Sequence, residues 1–226
     1  MREVRGGREL RVDGTFASLY RPGSPATGSV WDAIAAPVLA LPPERRRRVL
    51  LLGLGGGSAA RVVRAIAPRA EIIGVELDRD VIEAARRSFA IDELGLEIQL
   101  ADAHAYLERE RRHFDVVLED VFVGAGDKVH KPDWLPHPGH ELAARRVARG
   151  GLLVSNTLDE APEVSRVLRG LYPAVVRIDV EDYDNRIFAA GPAALSANAL
   201  RAEVARSPVL RGTLDKLRFR TVQAHR

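Results

Sequence analysis

The chain contains no cysteine. That absence removes disulfides, thiolate metal sites and thiol nucleophiles from consideration. No apolar run approaches the ~20 residues needed to span a bilayer. The opening residues, Met1-Arg2-Glu3-Val4-Arg5, lack the apolar segment of a secretory signal. A cytoplasmic protein with no membrane partner is therefore expected. Lysine is scarce too, standing only at positions 128, 131 and 216. The positive charge is almost all arginine, and 34 basic against 31 acidic residues leave a net charge of +3. Arg45-Arg46-Arg47-Arg48 has no interleaved aromatics and leads into an apolar run, so it reads as a solvated face and not as a nucleic-acid patch. Internal repeats and low-complexity segments are missing as well.

What is present supports one globular core: 226 residues, 46% of them hydrophobic. Residues 8–20 alternate around Asp13-Gly14, a strong hairpin signal, and Val30 to Leu39 reads as a helix ending before Pro42-Pro43. From residue 49 the pattern alternates strand and helix. Strands are predicted near 49–53, 71–76, 96–100, 114–119, 151–156, 173–180 and 185–190. Helices are predicted over 58–67, 79–90, 102–112, 138–148, 160–170 and 194–206. Strands alternating with ~10-residue helices argue for right-handed βαβ units and a mostly parallel sheet. The last two strands are joined only by Glu181-Asp182-Tyr183-Asp184, too short for a parallel crossover, so they form an antiparallel hairpin. The expectation is an α/β fold with a seven-stranded sheet of the class I methyltransferase (Rossmann-like) kind, preceded by a short N-terminal β-hairpin. Its divisions are 1–42 for the hairpin and helix extension, 43–210 for the Rossmann-like domain and 211–226 for a tail. Leu217 to Val222 in that tail alternates apolar and basic residues, which leaves open an edge strand or disorder.

The most informative stretch is Val49-Leu50-Leu51-Leu52-Gly53-Leu54-Gly55-Gly56-Gly57-Ser58. It reads as a buried strand, a turn too crowded for side chains and a helix start. A dinucleotide fingerprint wants a third glycine where Ser58 stands. The pattern is instead G-x-G-x-G at Gly53, Gly55 and Gly57, a form common for adenosyl sulfonium ligands, which have no pyrophosphate. Glu76, 19 residues past Gly57 and at the end of the next apolar run, is placed to accept hydrogen bonds from a ribose diol. Asp102-Ala103, after the third strand, can meet the adenine, although Asp102 also suits a helix cap; Asp78 reads as a cap. Asp120 emerges at the tip of Asp115-Val116-Val117-Leu118-Glu119. A carboxylate there can deprotonate and hold an amine that attacks a sulfonium carbon. Glu119, Phe122 and Trp134 are expected on the acceptor side, the last two in the long connection 121–140, which suits a lid or substrate loop. His130, His137 and His140 in that loop have no helical register and no acid pair, so no metal site is expected. Ser58 lies in the glycine turn and not on a nucleophile elbow.

Together these motifs resemble the spermidine synthase family, and its shorter spermidine-synthase-like relatives above all, from about residue 10 to 190. Val12-Asp13-Gly14 is similar to that family's N-terminal hairpin, and Asp32 and Pro37 to the acid and proline of its helix before the sheet. Gly53 to Gly57 is similar to its cofactor loop, Glu76-Leu77-Asp78 to its ribose motif, and Asp102-Ala103 to its adenine motif. Phe114 to Asp120 matches the strand ending in its catalytic acid, which implies that role for Asp120. Gly56 and Val123 stand where the family carries acids, Val30-Trp31 where it carries Tyr-His, and Ala17 where it carries a glutamine. The resemblance implies binding of S-adenosylmethionine or decarboxylated S-adenosylmethionine and alkyl transfer to a small-molecule acceptor, an amine or another nucleophile. The departures lean toward methyl transfer over aminopropyl transfer. A non-catalytic nucleoside-binding relative is a second class; an NAD-dependent oxidoreductase fits Glu76 but neither Ser58 nor the terminal hairpin. The exposed edge of the N-terminal hairpin leaves room for a homodimer.

Overall fold

The computed structural model describes residues 1–222. The N-terminal segment folds as three antiparallel strands, β1 (Arg2–Val4), β2 (Gly7–Val12) and β3 (Thr15–Tyr20). Asp13 and Gly14 turn the β2–β3 hairpin with φ of 48° and 81°, the left-handed pair that a tight hairpin demands. The expected hairpin is present, and β1 adds a third strand to it. Helix α1 (Val30–Ala35) follows and tightens into a 3-10 turn, Ala36–Ala40, before Pro42 and Pro43.

The main domain then alternates: β4 (Arg48–Leu52), α2 (Ser58–Ile66), β5 (Glu71–Glu76), α3 (Arg79–Ser88), β6 (Glu97–Leu100), α4 (Ala103–Arg109), β7 (Phe114–Glu119), α5 (Gly139–Arg146), β8 (Val147–Thr157), α6 (Ala161–Leu171), β9 (Ala174–Val180), β10 (Arg186–Gly191), α7 (Ala197–Arg206) and β11 (Leu217–Val222). The sheet order is β11-β9-β10-β8-β7-β4-β5-β6. The five strands β4 to β8 pair in parallel, and β10 is antiparallel to both β8 and β9. The sheet thus has eight strands where seven were expected. Leu217 and Phe219 turn inward while Arg218 and Arg220 face solvent, so the alternating segment pairs along β9 as an edge strand. The remainder of the expected tail, 223–226, lies outside the described residues.

Strand β4 shows why the central strands are continuous apolar runs. Val49 and Leu51 pack into one core layer and Leu50 and Leu52 into the opposite one, because successive side chains point to opposite faces. The first layer lies under α1, α2 and α7, the second under α4, α5 and α6. Val164, Val167 and Leu168 of α6 are all buried, as its amphipathic spacing predicts.

In the arginine run Arg47 and Arg48 are exposed, as a solvated face requires, and Arg46 departs from it. Arg46 is half-buried and donates to the carbonyls of Leu41 (2.8 Å), Leu39 (3.2 Å) and Ile66 (3.3 Å). Asp115 accepts from the backbone N–H of Arg47 at 2.9 Å and of Arg48 at 3.1 Å. The run ties loops to the amino-terminal edge of the sheet, because carbonyls left over by the 3-10 turn and by α2 need donors there.

Candidate active site

Chain direction places the site. From β4 the chain moves outward to β5 and β6, then returns across β4 to β7 and on to β8. The carboxyl ends of β4 and β7 therefore flank the point where the strand order reverses, the crevice at which open α/β sheets bind ligands. The glycine turn follows β4 there, and Asp120 follows β7.

The crowding at the turn comes from the protein's own chain. Gly53 has φ of +82°, and a Cβ on it would lie 2.8 Å from the carbonyl carbon of Asp120 and collide with its oxygen. The Asp120 N–H donates to the Leu52 carbonyl at 2.9 Å. Gly53 thus seats the backbone of the acid. At Gly56 a Cβ would meet Ser18 Cβ at 2.8 Å and the Phe89 ring at 3.0 Å; at Gly57 it would meet Ile91 at 2.9 Å. Two serines dock β3 onto this turn. The Gly56 N–H donates to Ser18 Oγ at 2.7 Å, and Ser58 Oγ both donates to the Leu19 carbonyl (2.8 Å) and accepts from the Leu19 N–H (2.9 Å). The residue that breaks the dinucleotide fingerprint thereby becomes a staple between the two sheets.

Glu76 joins the turn to the next motif. It accepts from the N–H of Gly55 (2.8 Å), Leu77 (2.9 Å) and Asp78 (3.1 Å). A carboxylate offers about four acceptor positions, so roughly one remains for a hydroxyl. Asp102 caps α4 by accepting from Ala105 N–H at 2.8 Å through Oδ1, and among the described residues Oδ2 has no partner. Ala103 is buried at the start of that helix. Asp78 caps α3, as expected. Leu77 is 66% and Leu100 43% exposed, an apolar pair left open at the ends of β5 and β6 beside Asp102.

Asp120 keeps partial access to the cleft, although its carboxyl is closely surrounded by protein. Its Oδ1 accepts from Asn156 Nδ2 at 2.7 Å, Asn185 Nδ2 holds Asn156 Oδ1 at 2.9 Å, and Trp31 donates from α1. Burial pushes this carboxyl up to about 7, against the opposing pull of the Asn156 hydrogen bond and the Lys131 charge. Trp31, Asn156 and Asn185 carry no recognisable spacing in the sequence. The tip of β8, parallel to β7, was the one signal that could have placed Asn156.

Glu119, expected to face the acceptor, is instead fully enclosed. Lys131 Nζ lies 2.6 Å from one carboxylate oxygen and Ser155 Oγ 2.6 Å from the other, with His140 Nε2 3.1 Å from Ser155 Oγ. Burial would raise this carboxyl, but Lys131 and His140 outweigh it and hold Glu119 at about 2. One face of the Phe122 ring is covered by Lys131 Nζ, 3.9 Å from its centroid. Trp134 packs at 5.2 Å against the ring of His104, the residue after Ala103, which places it beside the start of α4. Loop 121–140 leans on the β2–β3 turn through Gly126 N–H on the Asp13 carbonyl (3.1 Å) and closes on itself through a Val123–His130 bridge. Asp32, fully buried, accepts from Thr27 and Gly28 and is committed to the turn before α1. Among the described residues no group of three or more His, Asp or Glu gathers to hold a metal, and no helix is long and apolar enough to cross a membrane.

A family model described as a methyltransferase domain matches residues 49–132. Polyamine aminopropyltransferase 2 of Pseudomonas aeruginosa is 28% identical, over 74% of this chain and 50% of its own length. The chain is spermidine synthase-like, on a class I methyltransferase fold. A probable spermidine synthase from Corynebacterium glutamicum superimposes with a TM-score of 0.73 at 22% identity, over 95% of this chain and 83% of that one. Human methyltransferase-like protein 13, solved in complex with SAH, gives 0.65 at 23% identity, over 84% and 93%. This spermidine synthase-like chain spans half the length of the Pseudomonas relative, so activity and substrates are matters for proposal.

Proposed function

We propose that the chain binds S-adenosylmethionine or its decarboxylated form and transfers an alkyl group from sulfur to a small nucleophilic acceptor. The observation that carries this reading is the seating of Asp120 against Gly53, which sets one carboxyl at the mouth of a nucleoside-type turn. The residues fit such a group. Glu76 keeps an acceptor position for a ribose hydroxyl, Asp102 keeps Oδ2 for an amino group, and Leu77 and Leu100 offer flat apolar cover. When bound, the sulfonium supplies an alkyl carbon already activated toward a nucleophile.

The remaining work is alignment and proton removal. Asp120 takes a proton from the attacking group, and its elevated carboxyl matches that task near neutral pH. Asn156 and Trp31 hold the carboxyl in direction. An amine acceptor is supported by the exposed acids Asp159, Glu181, Asp182 and Asp184, which stand in the links beside Asn156 and Asn185. Methyl transfer is placed ahead of aminopropyl transfer for two reasons. Position 56 has no room for an acid beside Ser18 and Phe89, and Val123, 38% exposed, offers no second carboxylate.

Calorimetric titration with both forms of the donor tests the reading. Preference for intact adenosylmethionine is the expected result; preference for the decarboxylated form would reverse the order of the two transfers. Binding of neither would mean that the glycine turn serves only to seat Asp120 and β3, and the enzyme reading would be lost.

A further inference from the structure

Loop 121–140 returns to the sheet at Lys131, and the return is made inside the protein. The Lys131 side chain is 1% exposed, as is that of its partner Glu119. Its Nζ donates to Glu119 Oε1 (2.6 Å) and to the Val121 carbonyl (3.0 Å), while its N–H donates to Glu160 Oε1 (2.7 Å). Glu119 Oε1 also accepts the Val121 N–H at 2.8 Å. Both polar groups of Val121, the residue directly after Asp120, are therefore held by this ion pair. The residue before Asp120 is Glu119 itself, and the Asp120 peptide is pinned on its other side by the Leu52 carbonyl and the Gly53 slot.

We propose that Lys131 is a positioning residue for Asp120. Its buried pairing with Glu119 fixes the peptide from which Asp120 projects and balances the negative charge lying directly behind that acid. The proposal rests on the reading of Asp120 as the proton acceptor and adds to it the residue that maintains it. An ion pair with no water access is costly to assemble and stays only where its geometry is fully satisfied. Here it is: Glu119 receives Lys131, Val121 N–H and Ser155, and His140 Nε2 lies 3.5 Å from the same carboxylate. Ser155 Oγ donates to Glu119 and lies 3.1 Å from His140 Nε2, while His140 Nδ1 is buried with no hydrogen-bond partner among the described residues. The groups that act on Asp120 are one cation, Lys131, and one anion, Glu119, together with the uncharged Asn156 and Trp31; His140 stands behind Glu119 at 3.5 Å, and Glu160 holds the Lys131 backbone.

Removing either partner must push the Asp120 carboxyl in opposite directions, which a merely structural buckle does not do. The test follows the Asp120 carboxyl carbon by NMR through a pH titration of the full chain, with Asp120→Asn identifying the signal. In Lys131→Met the midpoint is expected to rise by about one pH unit or more, in Glu119→Gln to fall, and in Lys131→Arg to stay near wild type. Midpoints that stay put, or that move in the same direction in both variants, overturn the proposal. Should Lys131→Met not fold, Glu119→Gln decides alone: a fall supports the proposal and any other result overturns it. Full turnover in Asp120→Asn would end the catalytic reading of Asp120 while leaving the titration result readable by itself.

Discussion

Replacing Asp120 by asparagine should make the protein more stable at neutral and alkaline pH, a consequence that can be measured without knowing any substrate. The Asp120 carboxyl titrates at about 7 in the folded chain against 3.8 for a free aspartate, chiefly because burial disfavours its charged form. Between those two values the folded state holds a proton that the unfolded state has released. Stability is therefore lost as pH rises through that window and stays low above it. The whole window, roughly three pH units at 1.36 kcal/mol each, is worth about 4 kcal/mol. From pH 5 to pH 8 about two of those units are crossed, or about 3 kcal/mol before screening by the water that reaches Asp120 from the cleft. Asparagine keeps the shape, carries no charge and cannot titrate. Urea unfolding of wild type and Asp120→Asn at pH 5, 6, 7 and 8 should show the variant gaining about 1–2 kcal/mol relative to wild type across the series. Other titrating groups are common to both proteins and cancel in the difference. A difference that does not change with pH, or that moves in wild type's favour as pH rises, would refute the buried, proton-holding carboxyl and with it the general-base role.

Two further outcomes follow from the turn. Gly53→Ala must place a methyl group against the Asp120 carbonyl at a φ of +82°, so a loss of about 2–4 kcal/mol in thermal unfolding is expected, and an unchanged melting temperature would contradict the seat described for Asp120. Ser58→Ala leaves the Leu19 N–H and carbonyl buried without their partner and should cost about 1–3 kcal/mol. Amide hydrogen exchange along β3 should then quicken; wild-type exchange rates would mean that the serine staple holds nothing.

The scaffold was legible because its physics is local. Parallel strands covered on both faces must be apolar throughout, and Val49 to Leu52, Ile72 to Val75 and Val116 to Leu118 announce themselves that way. The four-residue link before β10 dictated an antiparallel return by its length alone. The edge strand β11 was ambiguous because its outward positions are arginines, and only the neighbouring strand β9 decides that it pairs. In the site, Asp120 could be placed from its position at a strand tip. The fate of Glu119 could not: twelve residues later the chain folds Lys131 back beneath it, a contact that no spacing rule contains. The same holds for Trp31 and Asn156, which reach Asp120 from α1 and from the far end of β8. Ser58 shows the opposite case. It read as a missing glycine, and its hydroxyl proves to be the joint on which β3 rests.

The filled slot at Gly53 also bears on how such a scaffold can diversify. Because the carbonyl of Asp120 occupies the space of the missing side chain, the turn and the acid form one solid piece, and neither can drift without the other. On the proposed reading, new acceptors can then be recruited by rewriting residues 122–130 or the β9–β10 turn while Lys131 and its partner Glu119 are kept. The spacing between nucleoside cradle and acid is inherited unchanged, like a jig into which different workpieces are clamped.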